Sequence, residues 1–429
     1  MIAEFTIGNF RSFKEKVTFS LISTKDRELS ESNTFEMDNN LKFLKSAVIY
    51  GANASGKSNF FNALSFFLYF AVNSGPRKQI GDSTGTEPFA FSKQTEGQPS
   101  SFELIFYTLD EDGKNIRYRY GFSITEKDVI DEYLWAVYNV REVNLFIRRH
   151  QEITSTSYFK EGGRSKQFVR NNCSLLSVCA QNNGEISAQI IRYFSKMEVT
   201  SGLRDFRFIT KKELHNQEYQ QDIVNFLRYA DIQINRFRSE TRAMDSQENE
   251  DPELKAFLEY LKKKVPHFEE QERVFFGHTM YDDELPVGEK YLAEEDESGG
   301  TIKLFSYSIP ILSALKNGTP LFIDEFDTML HPLIIEAIIK LFNSPATNSR
   351  NAQLVISCHA VNILTNKLFR RDQIWFCEKD QFGATDLYSL VEYKEPVRKD
   401  ASYNKNYLQG KYGAVPYINE ILLQVGLHK

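Results

Sequence analysis

The fold is decided by the stretch Gly51-Ala52-Asn53-Ala54-Ser55-Gly56-Lys57-Ser58. It matches the phosphate-loop pattern G-x-x-x-x-G-K-[ST] and lies between the apolar, strand-prone run 46–50 and a helix-prone run that begins at Asn59. Glycines let such a loop curve closely around an anion, so that backbone N–H groups and the positive end of the following helix face it. The pattern and both its flanks predict a nucleoside triphosphate site.

The side chains of the loop suit this ligand. Lys57 would lie across the β- and γ-phosphates as a point charge, and the hydroxyl of Ser58 would bind a magnesium ion. The other predicted nucleotide contacts in this stretch are Asn53, Ala54, Ser55, Gly56 and Asn59. ATP and Mg²⁺ are therefore the expected ligands.

Size and composition describe an ordinary globular protein. The chain has 429 residues, of which 41% are hydrophobic and 26% are charged, and this length allows two domains or one large domain with an insertion. No apolar run approaches the length of about 18 residues that a membrane span requires. The first residues carry no basic segment typical of a signal peptide. We expect a cytoplasmic protein without membrane contact.

Charge and cysteine content argue against two classes of function, binding of nucleic acid over a broad surface and binding of a metal by paired cysteines. The net charge of −6 argues against a broadly basic surface for nucleic acid. The four cysteines are scattered and form no C-x-x-C pair for zinc or an iron–sulfur cluster: Cys173, Cys179, Cys358 and Cys377. Reduced thiols are expected, which agrees with the cytosol.

The second half of the chain supplies the acids that a phosphate loop needs. The apolar run 320–323 ends in Asp324 and Glu325, the Walker B arrangement. Asp324 would hold the magnesium ion, and Glu325 would orient and deprotonate the attacking water. Two adjacent carboxylates at the end of a buried strand require charge compensation, which a metal ion provides.

Two further motifs flank this strand. Upstream, Ser298, Gly299 and Gly300 open an apolar, helix-like run and form another candidate anion-binding helix start. Downstream, His359 follows a buried strand, which puts an imidazole at the carboxyl edge of the sheet where ligands bind in open α/β folds. We predict that His359 senses or stabilises the γ-phosphate.

The predicted elements divide the chain into three parts, 1–170, 171–275 and 276–429. The first part contains the phosphate loop and three strand-like runs that predict an antiparallel β-meander: 101–109, 116–125 and 129–138. The last part returns to α/β character, with short apolar runs typical of buried parallel strands at 321–323 and 354–356.

Helical periodicity dominates the middle part. The clearest predicted helices are Glu185–Phe194, Gln220–Tyr229 and Pro252–Lys264. The polar segment 238–250 is predicted to be a loop or a partner-binding segment. We expect an α/β fold with a mixed sheet around the phosphate loop, an antiparallel β-subdomain and an inserted helical subdomain.

Taken in order, the motifs resemble those of the ABC-type ATPase heads of the SMC, Rad50 and RecF group. The resemblance includes Asn9-Phe10-Arg11-Ser12-Phe13, similar to an N-F-R-S motif whose arginine reaches the bound nucleotide, and Asp327, where a D-loop would begin. It implies a head-to-head dimer or a higher oligomer. Ser298, Gly299 and Gly300 would then complete the nucleotide site of the partner head, so that ATP joins the dimer and hydrolysis releases it.

More narrowly, the chain resembles compact ATPases of bacterial phage-defence operons, of the AbiL/RloA kind and the ATPase of the PARIS system. This similarity lies in the segments 324–332, 374–380 and 406–416. It implies a TOPRIM-like nuclease subunit as partner and a phage product as trigger. The chain departs from the pattern in two ways. No glutamine after the phosphate-loop helix stands out as the Q-loop residue, and Gln94 and Gln98 are candidates without further support. The signature is E-S-G-G-T rather than L-S-G-G-Q.

Two other hypotheses remain. A RecF-like or SMC-like repair ATPase would bind duplex DNA directly, which the net negative charge and the absence of a heptad pattern disfavour. A nuclease within the chain would need a further domain, and the roughly 70 residues after His359 are too few for one of typical size. The acids Glu378, Asp380 and Asp386 are better explained as a solvated hairpin, so we expect no nuclease activity in this chain.

Overall fold

The computed structural model describes residues 1–37, 41–109, 113–138, 140–203, 216–243, 270–393 and 397–416. Within these ranges the strands are β1 (Ile2–Gly8), β2 (Val17–Ser20), β3 (Thr34–Met37), β4 (Leu41–Leu44), β5 (Ser46–Tyr50), β6 (Ser100–Leu109), β7 (Asn115–Ile124), β8 (Val129–Val137), β9 (Glu142–Arg149), β10 (Glu152–Ser155), β11 (Glu198–Ser201), β12 (Arg236–Ala243), β13 (Glu270–Asp282), β14 (Leu285–Ala293), β15 (Leu321–Asp324), β16 (Leu354–Ser357), β17 (Ile374–Lys379) and β18 (Thr385–Ser389). The helices are α1 (Ser30–Asn33), α2 (Lys57–Arg77), α3 (Lys160–Ser165), α4 (Leu175–Gln181), α5 (Glu185–Phe194), α6 (Gln217–Tyr229), α7 (Gly299–Asn317), α8 (Pro332–Asn343) and α9 (Tyr403–Leu408). Among the residues described, no helix combines the length and the apolar character that crossing a bilayer requires.

A six-stranded sheet carries the phosphate loop. Its strand order is β11-β15-β16-β5-β17-β18, with parallel pairing from β11 to β17 and an antiparallel last pair. Every residue of β5, β15 and β16 is buried, as expected for inner parallel strands built from continuous apolar runs. Because parallel strands all end at one edge, the segments that follow β5, β15 and β16 meet at the carboxyl edge of this sheet.

An antiparallel seven-stranded sheet forms the second layer. Its order is β10-β9-β8-β7-β6-β1-β2, so the consecutive strands from β6 to β10 form a meander that the N-terminal strands extend. Alternating buried and half-buried positions along β6, β7 and β8 show that one face of the sheet packs on the core. The predicted β-meander is thus confirmed, and with it the α/β class with a mixed sheet.

Helix α2 joins the two layers. Its apolar residues recur at helical spacing, and the ring of Phe67 stacks on Phe122 of β7 with centroids 5.2 Å apart. Phe60 contacts Phe19 of β2 at 5.0 Å, and Phe322 of β15 belongs to the same buried cluster. Burial of each phenylalanine contributes about 2 kcal/mol. The first turn of α2, which contains Lys57, is therefore held rigidly beside the phosphate loop.

The chain divides into two compact units. The first comprises Met1–Gly202, Ala314–Thr328 and Ile335–Lys429, and contains both large sheets. The second comprises Leu203–Ser313 and Met329–Ile334. Its described part contains the antiparallel sheet β12-β13-β14, helix α6 and the start of α7, where Phe305 packs against Phe276 of β13 at 5.0 Å. The main segment of the second unit thus runs from Leu203 to Ser313. The sequence patterns predict an inserted region from 171 to 275.

Differences from the predicted elements lie mainly in the middle of the chain. Helix α5 has the predicted bounds, and α6 begins three residues before its predicted start. The prediction of a loop from residue 238 is wrong as far as 243, because β12 pairs with β13, a partner distant in sequence. The predicted helix Pro252–Lys264 lies outside the described residues. Strand β11, beside β15, has no strand pattern strong enough to be predicted.

Candidate functional site: the carboxyl edge of the six-stranded sheet

The phosphate loop follows β5 and ends where α2 begins. Gly56 has a φ of 114°, and a Cβ atom there would lie 2.3 Å from Thr385 Oγ1, so only glycine fits. Ala54 also adopts a left-handed conformation, with a φ of 61°. Ser55, Gly56 and Lys57 are buried, whereas Asn53, Ala54 and Ser58 are exposed to solvent. The loop therefore presents Ser58 on the outside of a tightly packed turn.

Lys57 is turned into its own loop. Its Nζ donates hydrogen bonds to Gly51 O at 2.7 Å and to Ala52 O at 3.0 Å. Burial lowers the pKa of the Lys57 ammonium below its ordinary value, and nearby acids, Asp324 and Glu325 among them, oppose this shift. The lysine and the two predicted Walker B acids therefore lie close enough to interact electrostatically.

The Walker B acids are fixed by one serine of the neighbouring strand. The hydroxyl of Ser357, at the end of β16, donates to Asp324 Oδ1 at 2.5 Å and accepts from the backbone N–H of Glu325 at 2.7 Å. Asp324 is buried, and Glu325 is half-buried with a φ of 49°. A left-handed glutamate costs about 1 kcal/mol or more, which the bonds to Ser357 help to offset. Ser357 was not among the predicted site residues.

These residues fit a magnesium triphosphate. The hydroxyl oxygen of Ser55 is buried and has no hydrogen-bond partner in the described structure, and the ammonium of Lys57 is held by carbonyl oxygens of a curved loop. A polyphosphate would give both groups an anionic partner. Asp324 and Ser58 supply the hard oxygen ligands that Mg²⁺ prefers. A group of three or more His, Cys, Asp or Glu residues suited to a metal is not found among the described residues.

His359 lies at the same edge, two residues after β16. It is exposed, and its backbone N–H donates to Asp327 Oδ2 at 2.8 Å. Tyr50, the last residue of β5, donates its hydroxyl to Ala360 O at 3.0 Å and so joins the two strand ends. The structure thus brings His359 to the carboxyl edge, as predicted from the strand before it; its action on a γ-phosphate stays a prediction.

The N-terminal motif around Arg11 contacts the segment 87–98 and the first turn of α2. Asn9 donates to Gln98 O at 3.0 Å and accepts from Phe89 N at 3.0 Å, which fixes the irregular segment 87–98. Arg11 has a φ of 48° and pairs with Glu87 at 2.9 Å, while its buried Nε has no partner in the described structure. Ser12 accepts from Asn59 Nδ2 in the first turn of α2 at 2.8 Å.

The signature residues belong to the second unit. The hydroxyl of Ser298 accepts from Thr301 N at 3.1 Å and so caps the N-terminus of α7. Ser298 and Gly299 are exposed, and Gly300 is half-buried. The preceding residue, Glu297, contacts His278 Nε2 of β13 at 2.6 Å. These residues are thus accessible at the start of a helix.

Neither Q-loop candidate gains a clear role. Gln94 is exposed and its side chain lies 3.5 Å from Lys14 Nζ, while Gln98 is bound to Asn9 through its backbone. The side chain that sequence reasoning missed at the loop itself is Thr385, the first residue of β18, which packs against Gly56. No motif or local sequence pattern marks this threonine.

The chain was compared with solved structures and with curated proteins. Among solved structures, the chain is similar to the SMC head domain from Thermotoga maritima, at 12% sequence identity over 90% of this chain and 98% of that chain, with a TM-score of 0.40. No curated protein was found to match the sequence.

A family model gives the assignment. Residues 46–365, about three quarters of the chain, match the family described as "AAA domain, putative AbiEii toxin, Type IV TA system". The match begins at the first residue of β5 and extends past His359, so it includes both the phosphate loop and the Walker B acids. It confirms the resemblance that the sequence motifs indicate. The chain therefore belongs to this family of AAA-type ATPase domains.

Proposed function

We propose that this protein binds Mg²⁺-ATP at the carboxyl edge of the six-stranded sheet and hydrolyses it. The observation that carries the proposal is the meeting of Lys57, Asp324 and Glu325 at one edge, where burial lowers the pKa of the lysine and the charges of the two acids oppose that shift. Such an arrangement of a lysine and two acids around an anion-binding loop suits phosphoryl transfer to water.

In this mechanism the loop N–H groups and Lys57 would hold the β- and γ-phosphates, and Ser58 and Asp324 would hold the magnesium ion. The ion would neutralise charge on the phosphate oxygens. Glu325 would accept a proton from the attacking water, and the bond from its backbone N–H to Ser357 holds the backbone of this residue in place. His359 and Arg11 would contact the nucleotide from the neighbouring loops.

The active form would be a head-to-head dimer or a higher oligomer. Ser298 and Gly299 are exposed at the start of α7, which supports their availability to a second copy. In the dimer, Ser298, Gly299 and Gly300 of one head would contact the γ-phosphate bound by the other. Because two heads would associate only while ATP is bound between them, cleavage of the γ-phosphate would separate the dimer.

The biological role that we propose is regulation of a toxic effector in anti-phage defence. The family description, which names a toxin of a toxin–antitoxin system, and the resemblance to phage-defence ATPases support it. The effector would be a TOPRIM-like nuclease subunit, and a phage product would be the trigger. The second unit, which contains the signature, is the candidate for recognition of either partner.

The test is the substitution Glu325→Gln. It removes the base and keeps the size of the side chain, so we expect the hydrolysis rate to fall on the order of a hundredfold or more while ATP binding remains. With ATP and Mg²⁺, light scattering should show the mass of a dimer for this variant, and the monomer mass without nucleotide. A coupled phosphate-release assay gives the rate.

Glu378→Gln is the matched control, because it makes the same chemical change at the end of β17, where Glu378 is exposed and contacts Tyr388 at 3.0 Å. It should hydrolyse ATP at the parental rate. Parental hydrolysis by the Glu325→Gln variant would refute the assignment of the base. A monomer mass for that variant at saturating ATP would refute the dimer.

A further inference from the structure

Three segments far apart in sequence meet at the phosphate loop through side-chain hydroxyls. The Thr385 hydroxyl lies 2.8 Å from Ser55 O and 2.8 Å from the hydroxyl of Ser12, and the Thr385 N–H donates to Ser12 O at 2.7 Å. Ser12 also accepts from Asn59 Nδ2 at 2.8 Å. Ser12, Ser55 and Thr385 are all buried. The contacts join the N-terminal motif, the loop, helix α2 and strand β18.

The direction of this hydrogen-bond chain is fixed by its two ends. The carbonyl of Ser55 can only accept, and the amide nitrogen of Asn59 can only donate. The Thr385 proton therefore goes to Ser55 O, the Ser12 proton goes to Thr385, and Asn59 donates to Ser12. Each hydroxyl then donates once and accepts once, and such a chain is stronger than its separate bonds.

The chain holds the loop in a conformation that the backbone does not favour. Ala54 and Gly56 lie on either side of Ser55, with φ of 61° and 114°. A left-handed alanine costs about 1 kcal/mol or more and persists only where its surroundings hold it. The bond from Thr385 to Ser55 O ties this strained part of the loop to β18.

We propose that Thr385 and Ser12 are positioning residues for the phosphate loop, and that nucleotide affinity depends on the hydroxyl of Thr385. This inference rests on the proposed function and deepens it. It makes the first residue of β18 part of the nucleotide site, although this strand contains no residue of the phosphate-loop or Walker B motifs. Any displacement of β18 would then change the affinity for ATP.

The experiment compares Thr385→Val with Thr385→Ser. Valine keeps the shape of threonine and removes the hydroxyl, so the Kd for a fluorescent ATP analogue should rise about tenfold, the effect expected when one buried hydrogen bond is lost. In steady-state kinetics KM should rise while kcat stays within about twofold. Serine restores the hydroxyl, so Thr385→Ser should bind within about twofold of the parent.

Two further variants separate positioning from general stability. Ser12→Ala breaks the same hydrogen-bond chain. The double variant Ser12→Ala/Thr385→Val should therefore raise the Kd by less than the product of the increases in the two single variants. Thr156→Val is the control, because the Thr156 hydroxyl also donates to a carbonyl, Asn144 O at 2.9 Å, but lies at the edge of the seven-stranded sheet. This variant should leave the Kd for the ATP analogue unchanged.

Parental affinity in Thr385→Val, with only a lower melting temperature, would overturn the proposal. If that variant does not fold, parental affinity in Ser12→Ala would overturn it equally. A parent protein that binds no nucleotide would instead refute the proposed function, so the two failures are distinguishable.

Discussion

The two edges of the six-stranded sheet are built in opposite ways. At the amino edge, Gln373 is fully buried and uses all of its hydrogen-bonding groups: its Nε2 donates to Ser46 O at 2.8 Å and Ser46 Oγ at 2.9 Å, and its Oε1 accepts from Asn33 Nδ2 at 2.7 Å and Arg370 N at 2.9 Å. Gln353, before β16, likewise bonds to both the N–H and the C=O of Ile2. The side chains of both glutamines are thus fully hydrogen-bonded at this edge.

The carboxyl edge of the same strands is not complete by itself. The buried hydroxyl of Ser55 has no partner in the described structure, Lys57 bonds only to carbonyls of its own loop among the contacts described, and Glu325 is held in a left-handed conformation. Buried polar groups are normally paired, so groups left unpaired at one edge and paired at the other indicate where a ligand belongs. The difference indicates that the polar groups of the amino edge stabilise the fold, whereas those of the carboxyl edge are available to bind a ligand.

The largest effect that this contrast predicts is that of Lys57→Ala. Loss of the ammonium removes charge-assisted bonds to the phosphates, so ATP affinity should fall by about a hundredfold or more. Because the unliganded loop buries this charge at a cost, the melting temperature should change little or rise. Isothermal titration and thermal unfolding measure the two quantities.

Lys45→Ala provides the matched control, since Lys45 is also a buried lysine and its Nζ donates to Asn343 O at 3.3 Å at the amino edge. Its ATP affinity should equal that of the parent. If both lysine variants lose affinity to the same extent, the contrast between the edges is wrong.

Gln373→Ala should have the opposite pattern. It removes one hydrogen bond from each of four groups, so we expect a loss of about 2–4 kcal/mol in the free energy of unfolding. These groups are Asn33 Nδ2, Arg370 N, Ser46 O and Ser46 Oγ. The Kd for ATP should stay within about twofold of the parental value. Urea unfolding and a binding titration at a temperature where the variant is folded test this. A fall in affinity as large as that of Lys57→Ala would show that the edges are coupled.

The smallest expected effect is a pH dependence. Burial lowers the pKa of Lys57 below the ordinary value of 10.5, and nucleotide binding needs the charged form. Between the lowered pKa and 10.5 the folded protein binds fewer protons than the unfolded chain, so without nucleotide the contribution of Lys57 to stability rises with pH. ATP affinity should fall over the same interval, beginning below pH 10.5.

Measuring the Kd for ATP in steps from neutral pH to pH 10 tests this sign. Lys57→Arg should shift the fall to higher pH, because a guanidinium stays protonated. Lys45→Met should show the parental profile. An affinity that rises with pH would contradict the role given to the Lys57 charge.

Sequence patterns predicted the elements of the site well and the contacts between them poorly. Phosphate loop, Walker B strand and the strand before His359 were each predicted from a continuous apolar run next to a polar motif, which is a local signal. Ser357 and Thr385 were missed because a serine or threonine at a strand end has no local signature. Strand β12 was missed because its partner β13 follows only at residue 270, and β-propensity depends on such partners.

The sequence by itself determined which chemistry is available here: a loop that can curve around an anion, a lysine inside it, and two carboxylates that follow an apolar strand. These follow from residue type and spacing, which are properties of short segments. Only the tertiary structure decided which side chains hold them, because Thr385 contacts both Ser12 and Ser55 only when β1, β5 and β18 are assembled. Hydrogen bonds between residues hundreds of positions apart depend on distances of a few ångströms that no local pattern encodes.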